Sequence, residues 1–208
     1  DLRAVARAFE LAWTHSQVLL QQLNAAHADA RLYERMAASI LYANTLLRAE
    51  TSVLQANRRG QSGLWGQAIS GDLPIVLLRI GDIANIELVR QLVQAHAYWR
   101  LKGLPVDLVI WNEDKAGYRQ ELQDLILGLI ASSTEAGMID RPGGIFVRPS
   151  QQLSAEDRVL VQSVARIVLS DSRGLLVDQI ERRRVEAQLP ALAINRLSRP
   201  VEVIGEDT

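Results

Sequence analysis

The sequence predicts an α/β fold: a three-layer sandwich with a mainly parallel sheet of about four strands, preceded by an N-terminal helical hairpin or small bundle. Three observations carry this expectation. Hydrophobic residues recur at helical spacing through the first quarter of the chain, and the period changes abruptly at Pro74. From there, residues 75–80, 106–111, 145–147 and 167–169 form short apolar runs rich in β-branched side chains. Such runs suit strands buried on both faces, as in parallel sheets. Between them lie amphipathic stretches long enough for helices. Strand–helix–strand repeated in this way implies right-handed crossovers.

Taken in order, residues 2–23 place Leu2, Val5, Phe9, Ala12, Trp13 and Leu20 near one helical face. Asp29 is expected to cap a second helix carrying Leu32, Tyr33, Met36, Ala37, Ile40 and Leu41. Asn44 is expected to cap a third, with Leu47, Val53 and Leu54 inward, ending before the NRRG run at 57–60. In the second part, Ile86, Val89, Val93 and Ala97 line one helix, and Tyr118, Leu122, Leu125, Ile126 and Leu129 line the next. Val161 and Val164 line a further helix, which Ser154 and Asp157 open as a slightly atypical capping box. Residues 175–188 predict a last helix, with Arg182, Arg183 and Arg184 on its outer part. The division expected is a helical annex at 1–60, an α/β domain at 61–190, and a tail or linker at 191–208, whose end can form an edge strand.

The 208 residues are 48% hydrophobic and 23% charged, ordinary for a globular domain with a real core. A formal charge of −1 gives no electrostatic reason to expect nucleic acid or an anionic membrane as partner. The absence of cysteine excludes disulfides and thiolate metal sites, and fits a reducing compartment. No apolar run reaches the roughly 18–20 residues of a membrane span. The chain opens on Asp1 at full amphipathic strength, which reads as a piece of a longer polypeptide.

The junction at 63–80, GLWGQAISGDLPIVLLRI, is the most distinctive stretch. Gly71 permits a tight turn, Pro74 launches the strand, and Trp65 can bury its ring while its indole N–H finds an acceptor. Asp72 can accept backbone N–H groups in the turn. This describes a clasp between annex and sheet; alternatively, the loop at 70–72 projects toward a neighbouring ligand site. Open parallel sheets bind ligands outside the carboxyl ends of their strands. There the sequence places Asp82, Asn112, Glu113, Asp114, Arg148 and Asp171, polar groups that can build a sugar or phosphate pocket or simply cap helices and make turns. Asn112, Glu113, Arg148 and Asp171, together with Asp72, are the candidate binding residues. Asp82 and Asp114 can be read as paired acid–base carboxylates of an independent small enzyme, though nothing in the sequence fixes their separation.

Other chemistry is sparse. His15, His27 and His96 form no metal-ligand spacing, so no metal is expected. His96, Tyr98 and Trp99 lie together on one helix, either as a sugar-stacking platform or as buried packing. No Gly-x-Gly-x-x-Gly follows the first strand, no phosphate loop ending in Gly-Lys-Ser/Thr occurs, and no Gly-x-Ser-x-Gly elbow appears. No cofactor is expected on these grounds.

Several blocks in a fixed order carry a family resemblance: FELAWTHSQ at 9–17, LWGQAISGDLPIVL at 64–77, LVRQLVQAHAYWRLKG at 88–103, VDLVI at 106–110 and YRQELQD at 118–124. Over roughly residues 1–180 the chain resembles the large bacterial cyclic β-1,2-glucan synthases. Gln67 and Ala68 stand where the family pattern has an aromatic–Gly pair.

The resemblance implies a multi-module parent at the cytoplasmic side of the inner membrane. Such a parent extends β-1,2-glucan from UDP-glucose, closes the ring, and trims the chain with a part similar to glycoside hydrolase family 94 phosphorylases. The blocks resemble the segment between the β-sandwich of that part and its catalytic barrel. The catalytic Asp motif of the barrel and the sugar-nucleotide motif of the transferase are not in this chain, so no catalytic residue is carried over. The resemblance thus implies a non-catalytic positioning segment, with other modules of the same polypeptide, and β-1,2-glucan, as expected partners. A strand-end carbohydrate or sugar-phosphate site is the alternative.

Overall fold

The computed structural model describes residues 2–114 and 119–187. The helices are α1 (Leu2–Gln22), α2 (His27–Tyr42), α3 (Thr51–Ala56), α4 (Ile86–Leu101), α5 (Arg119–Ala131), α6 (Ala155–Val164) and α7 (Leu176–Ala187). The strands are β1 (Ile75–Ile80), β2 (Asp107–Asn112), β3 (Ile145–Pro149) and β4 (Ile167–Ser170). They form one sheet in the order β3-β2-β1-β4, and every pairing is parallel. The α/β expectation holds.

The connections explain the layers. Progress from β1 through β2 to β3 carries α4 and α5 over one face, where Val76, Leu78, Ile80, Leu108 and Ile110 meet Leu88, Val89, Leu92, Leu122 and Ile126. The chain then jumps back across β1 to add β4, reversing direction, and α6 lies on the other face. There Leu160 and Val161 pack on Ile75, Leu77, Val109, Trp111 and Phe146. A right-handed crossover run in reverse places its helix on the opposite face, so topology alone demands this switch.

The first quarter joins the same core. Tyr33, Met36 and Ile40 of α2 cluster with the sheet residues under α4. The indole N–H of Trp99 donates to the Tyr33 carbonyl at 2.8 Å, and the Tyr98 hydroxyl donates to Glu34 at 2.9 Å. Helix α1 is different. Only Leu19 and Leu20 of its 21 residues are buried.

Several local expectations are corrected. The second helix begins earlier than Asp29; that carboxylate sits inside the first turn and accepts the Ala26 N–H at 2.9 Å. The third helix is split: Asn44 caps a 3₁₀ turn over Thr45–Leu47, and α3 follows separately. Leu125 is largely exposed, the inward positions of α5 being Leu122, Ile126 and Ile130. The Ser154–Asp157 cap forms as expected, the Ser154 Oγ accepting the Asp157 N–H at 3.0 Å. Tyr118, the side chains of Arg182, Arg183 and Arg184, and the tail at 191–208 lie outside the described residues.

At the junction, the anchor is Leu64 and not Trp65. Leu64 is buried with Ile69 and Leu160, whereas Trp65 is 65% exposed and only its indole N–H is engaged, with the Ser70 carbonyl at 3.3 Å. The 3₁₀ turn Gln61–Gln67 presents neighbouring side chains in different directions, so only one of the pair can face the sheet. Gly71 has φ of +79°, and a Cβ there would lie 2.8 Å from Gln61 Cγ and 2.9 Å from Leu64 Cδ1, so the turn requires glycine. Asp72 does not accept backbone N–H groups; its Oδ1 takes the Gln61 amide at 2.9 Å, while its own N–H donates to Ser70 Oγ. Pro74 precedes β1 and its carbonyl accepts the Asp107 N–H at 2.9 Å. Ala68, where the resembling family has glycine, closes the 3₁₀ turn at φ +62°.

Urea unfolding should separate these roles. Leu64→Ala should cost about 3 kcal/mol through the cavity it leaves, and Trp65→Ala about 0.5 kcal/mol. Ala68→Gly should stabilise the chain by about 1 kcal/mol, because the left-handed penalty exceeds the added unfolded-state entropy.

Candidate functional site

The sheet order reverses beside β1, so the crevice at the carboxyl ends of β1 and β4 is the position where ligands enter folds of this type. The chain fills this crevice with its own carboxylate. Asp171 Oδ2, just after β4, accepts the N–H of Gly81 at 2.8 Å and of Asp82 at 2.9 Å, just after β1. Paired N–H groups of this kind suit an anion. Asp82 turns away to accept the Ala84 N–H at 2.9 Å, capping the turn that leads into α4.

The neighbouring strand ends are similarly committed. Glu113 grips Arg79 with two bonds, Nε to Oε1 at 2.9 Å and a terminal nitrogen to Oε2 at 3.2 Å. Asn112 is buried, its Oδ1 accepting the Asp114 N–H at 3.1 Å. Behind Asp171, buried Gln179 of α7 spans the β4 end, accepting the Ser170 N–H and donating to the carbonyls of Ser170 and Gly174. Arg148, on the edge strand β3, donates to the Gln67 and Val147 carbonyls, pairs with Asp140 at 2.8 Å, and lies over the Phe146 ring.

The structure therefore brings Asn112 and Glu113, after β2, and Asp171, after β4, to the same end of the two strands that flank β1, leaves Arg148 on the edge strand β3, and places Asp72 at the opposite end of the sheet, ahead of β1. Arg79 and Gln179 were missed from sequence. Arg79 carried a readable signal, a lone cation inside an apolar strand run, which calls for a carboxylate at a neighbouring strand end.

The three aromatic and imidazole groups of α4 are packing, not a platform. Trp99 and Tyr98 are buried under α2. His96 is buried with Nδ1 2.6 Å from Glu135 Oε2 and Nε2 2.9 Å from the Val106 carbonyl, so both ring nitrogens face acceptors. Glu135 is fully buried and also accepts from the Arg100 guanidinium at 2.6 Å. Burial alone would raise the Glu135 carboxyl; hydrogen bonds and charge from His96 and Arg100 outweigh it and hold the group below its ordinary range. Nearby Asp107 goes the other way. Its burial raises the carboxyl, only partly opposed by the Gly143 N–H at 2.7 Å and the charge of His96. These groups link α4, the start of β2 and the segment before β3. Among the described residues, no cluster of three metal-ligating side chains occurs and no helix is long and apolar enough to cross a membrane.

No protein-family model matches the chain. Over 172 residues, 82% of its length, it is 31% identical to the cyclic β-(1,2)-glucan synthase NdvB of Rhizobium meliloti (strain 1021). The chain is related to that synthase. It spans a small part of it, 6% of the synthase's length.

The buried network gives a pH-dependent prediction. A carboxyl held low in the folded state contributes stability that is full above its ordinary value and is lost as pH falls through the lowered value. Glu135→Gln should therefore cost about 3 kcal/mol at neutral pH, by leaving His96 and Arg100 without their buried counter-ion. The gap to the parent chain should shrink as pH falls below about 4.5, where Glu135 of the unfolded chain takes up a proton, and close as pH falls through the lowered folded value. Urea midpoints measured across pH 3–7 test both parts.

Proposed function

We propose that the chain is a non-catalytic positioning segment of a cyclic β-1,2-glucan synthase, holding other modules of the same polypeptide in register. On this reading it joins the β-sandwich and catalytic barrel of a phosphorylase-like part, in a parent at the cytoplasmic side of the inner membrane. The observation that carries the proposal is the apolar stripe of α1. Leu2, Val5, Phe9 and Trp13 follow one another at helical spacing, and Phe9 and Trp13 are 73% and 67% exposed. Leu20, on the same stripe, is buried in the core. An apolar stripe whose Leu20 end is buried and whose residues before Ser16 are bare is a surface shaped for a partner.

The relationship supports a partner from the same polypeptide: the match covers 6% of the synthase, and on this reading another module of that polypeptide occupies the stripe. The strand-end crevice supports a non-catalytic role. Glu113 and Asp171 are each engaged by internal bonds, so a ligand there would compete with the Arg79 ion pair or with the Gly81 and Asp82 N–H groups.

Two measurements test this. The chain incubated with β-1,2-glucan and inorganic phosphate should release no glucose 1-phosphate; release would overturn the proposal. Phe9→Asp combined with Trp13→Asp should leave the stability of the chain within about 0.5 kcal/mol. In a full synthase carrying this segment, the same pair should sharply reduce cyclic glucan output. Unchanged output would remove the positioning role.

A further inference from the structure

At the sheet edge opposite the strand-end crevice lies a cleft of about 430 Å³, within the size range of small-molecule sites. One wall is the loop of Gly71, Asp72 and Leu73, and the other is the end of α6 with Arg166, at the start of β4. Leu64, Ile75 and Leu160, all buried, supply an apolar floor. The polar groups facing this floor are Arg59, Gln61, Asp72 and Arg166.

Their pairing is uneven. Arg59 is held by Glu156 and by Asp157, the latter at 2.5 Å. Gln61 spends its amide on the Ser70 carbonyl and Asp72 Oδ1, both at 2.9 Å. Arg166 is partly buried and its backbone N–H bonds the Ile75 carbonyl at 2.7 Å, but its guanidinium has no partner among the described residues. Asp72 and Arg166 therefore line one cleft with opposite charges and no ion pair between them. Arg166, partly buried, is left without a counter-charge among the described residues, while Asp72 is exposed and spends one carboxylate oxygen on the Gln61 amide.

We propose that this cleft binds a neutral glucan chain, β-1,2-linked on the reading that the segment serves a β-1,2-glucan synthase. Sugar hydroxyls both donate and accept, so one glucosyl unit can donate to the Asp72 carboxylate and accept from the Arg166 guanidinium, closing the gap that the protein leaves open. An anion would be opposed by Asp72 and a cation by Arg166; a polyol is opposed by neither. The C–H face of the ring packs on the Leu64, Ile75 and Leu160 floor. Trp65 adds an exposed indole beside it, tied to the Ser70 carbonyl of the same loop. A glucosyl unit linked through its 2-position retains hydroxyls at C3, C4 and C6, enough for both groups.

Calorimetry and amide-shift mapping of the 208-residue chain test the proposal, with sophorose and linear β-1,2-gluco-oligosaccharides as probes. Cellobiose and inorganic phosphate serve as comparators. Saturable binding of the β-1,2 probes is expected, with shifts at the amides of Gly71, Asp72, Leu73 and Arg166. Arg166→Gln and Asp72→Asn should each weaken it at least roughly tenfold, while Arg166→Lys recovers part of the loss. Asp124→Asn, exposed on α5 across the sheet, should leave it unchanged, and unaltered spectra outside the cleft report intact folding. No saturable shift overturns the proposal, as does tighter binding of phosphate at the same residues or binding insensitive to both cleft variants. Equal binding of cellobiose upholds the cleft as a sugar site and counts against the β-1,2 assignment alone. Glucan output of the Phe9 and Trp13 variants bears on the positioning role separately.

Discussion

Strand β1 is enclosed on four sides, and most of the structure follows from satisfying it. Its backbone pairs in parallel with β2 on one flank and β4 on the other, and its side chains are buried against helices on both faces. A parallel neighbour can be reached only by a crossover, so each flank demands a helix. The order β3-β2-β1-β4 then fixes the faces those helices occupy. The exception within the strand is Arg79, and the chain answers it at once with the bidentate Glu113. Because β1 is reached from the annex through Gly71 and Pro74, the tight turn at 71 is constrained by the same requirement.

The two ends of this sheet are built on different electrostatic terms. At the carboxyl ends, polar side chains are mutually satisfied: Asp171 holds the Gly81 and Asp82 N–H groups, and Gln179 holds Ser170. At the amino ends, Glu135 is engaged by His96 and Arg100, but Asp72 and Arg166 share a cleft without pairing. Saturation rigidifies and lowers the return on binding anything else; incomplete pairing leaves free energy for a ligand to recover. The familiar ligand edge of the fold is thus the self-contained one here.

Sequence reading recovered the strands because buried parallel strands leave continuous apolar runs, as in IVLLRI at 75–80. It recovered the Ser154 cap because a capping hydroxyl and its target are only three residues apart. It misjudged Trp65, since size and apolarity predict burial on average while the 3₁₀ turn had already given the inward position to Leu64. The placement of Asp72 with Arg166, and of His96 with Glu135, was invisible for a different reason. Those partners are brought together by the crossover connections, and no local spacing encodes them. Asp171 stands out in the sequence by its strand-end position; the strand order, unreadable from one sequence, determines that it faces Gly81 and Asp82.

Helix α1 has a mechanical consequence beyond the surface it offers. Its 21 residues extend about 30 Å, and its buried residues are Leu19 and Leu20, close to its end. It is a lever arm clamped at one end. With a rise of about 1.5 Å per residue, a rotation of only about 10° at the clamp sweeps the far end through roughly 5 Å. The clamp is made by the same α2 and α4 layer that covers β1. A change in how those helices pack against the sheet would therefore be magnified at Leu2 and Val5, far from where it arose.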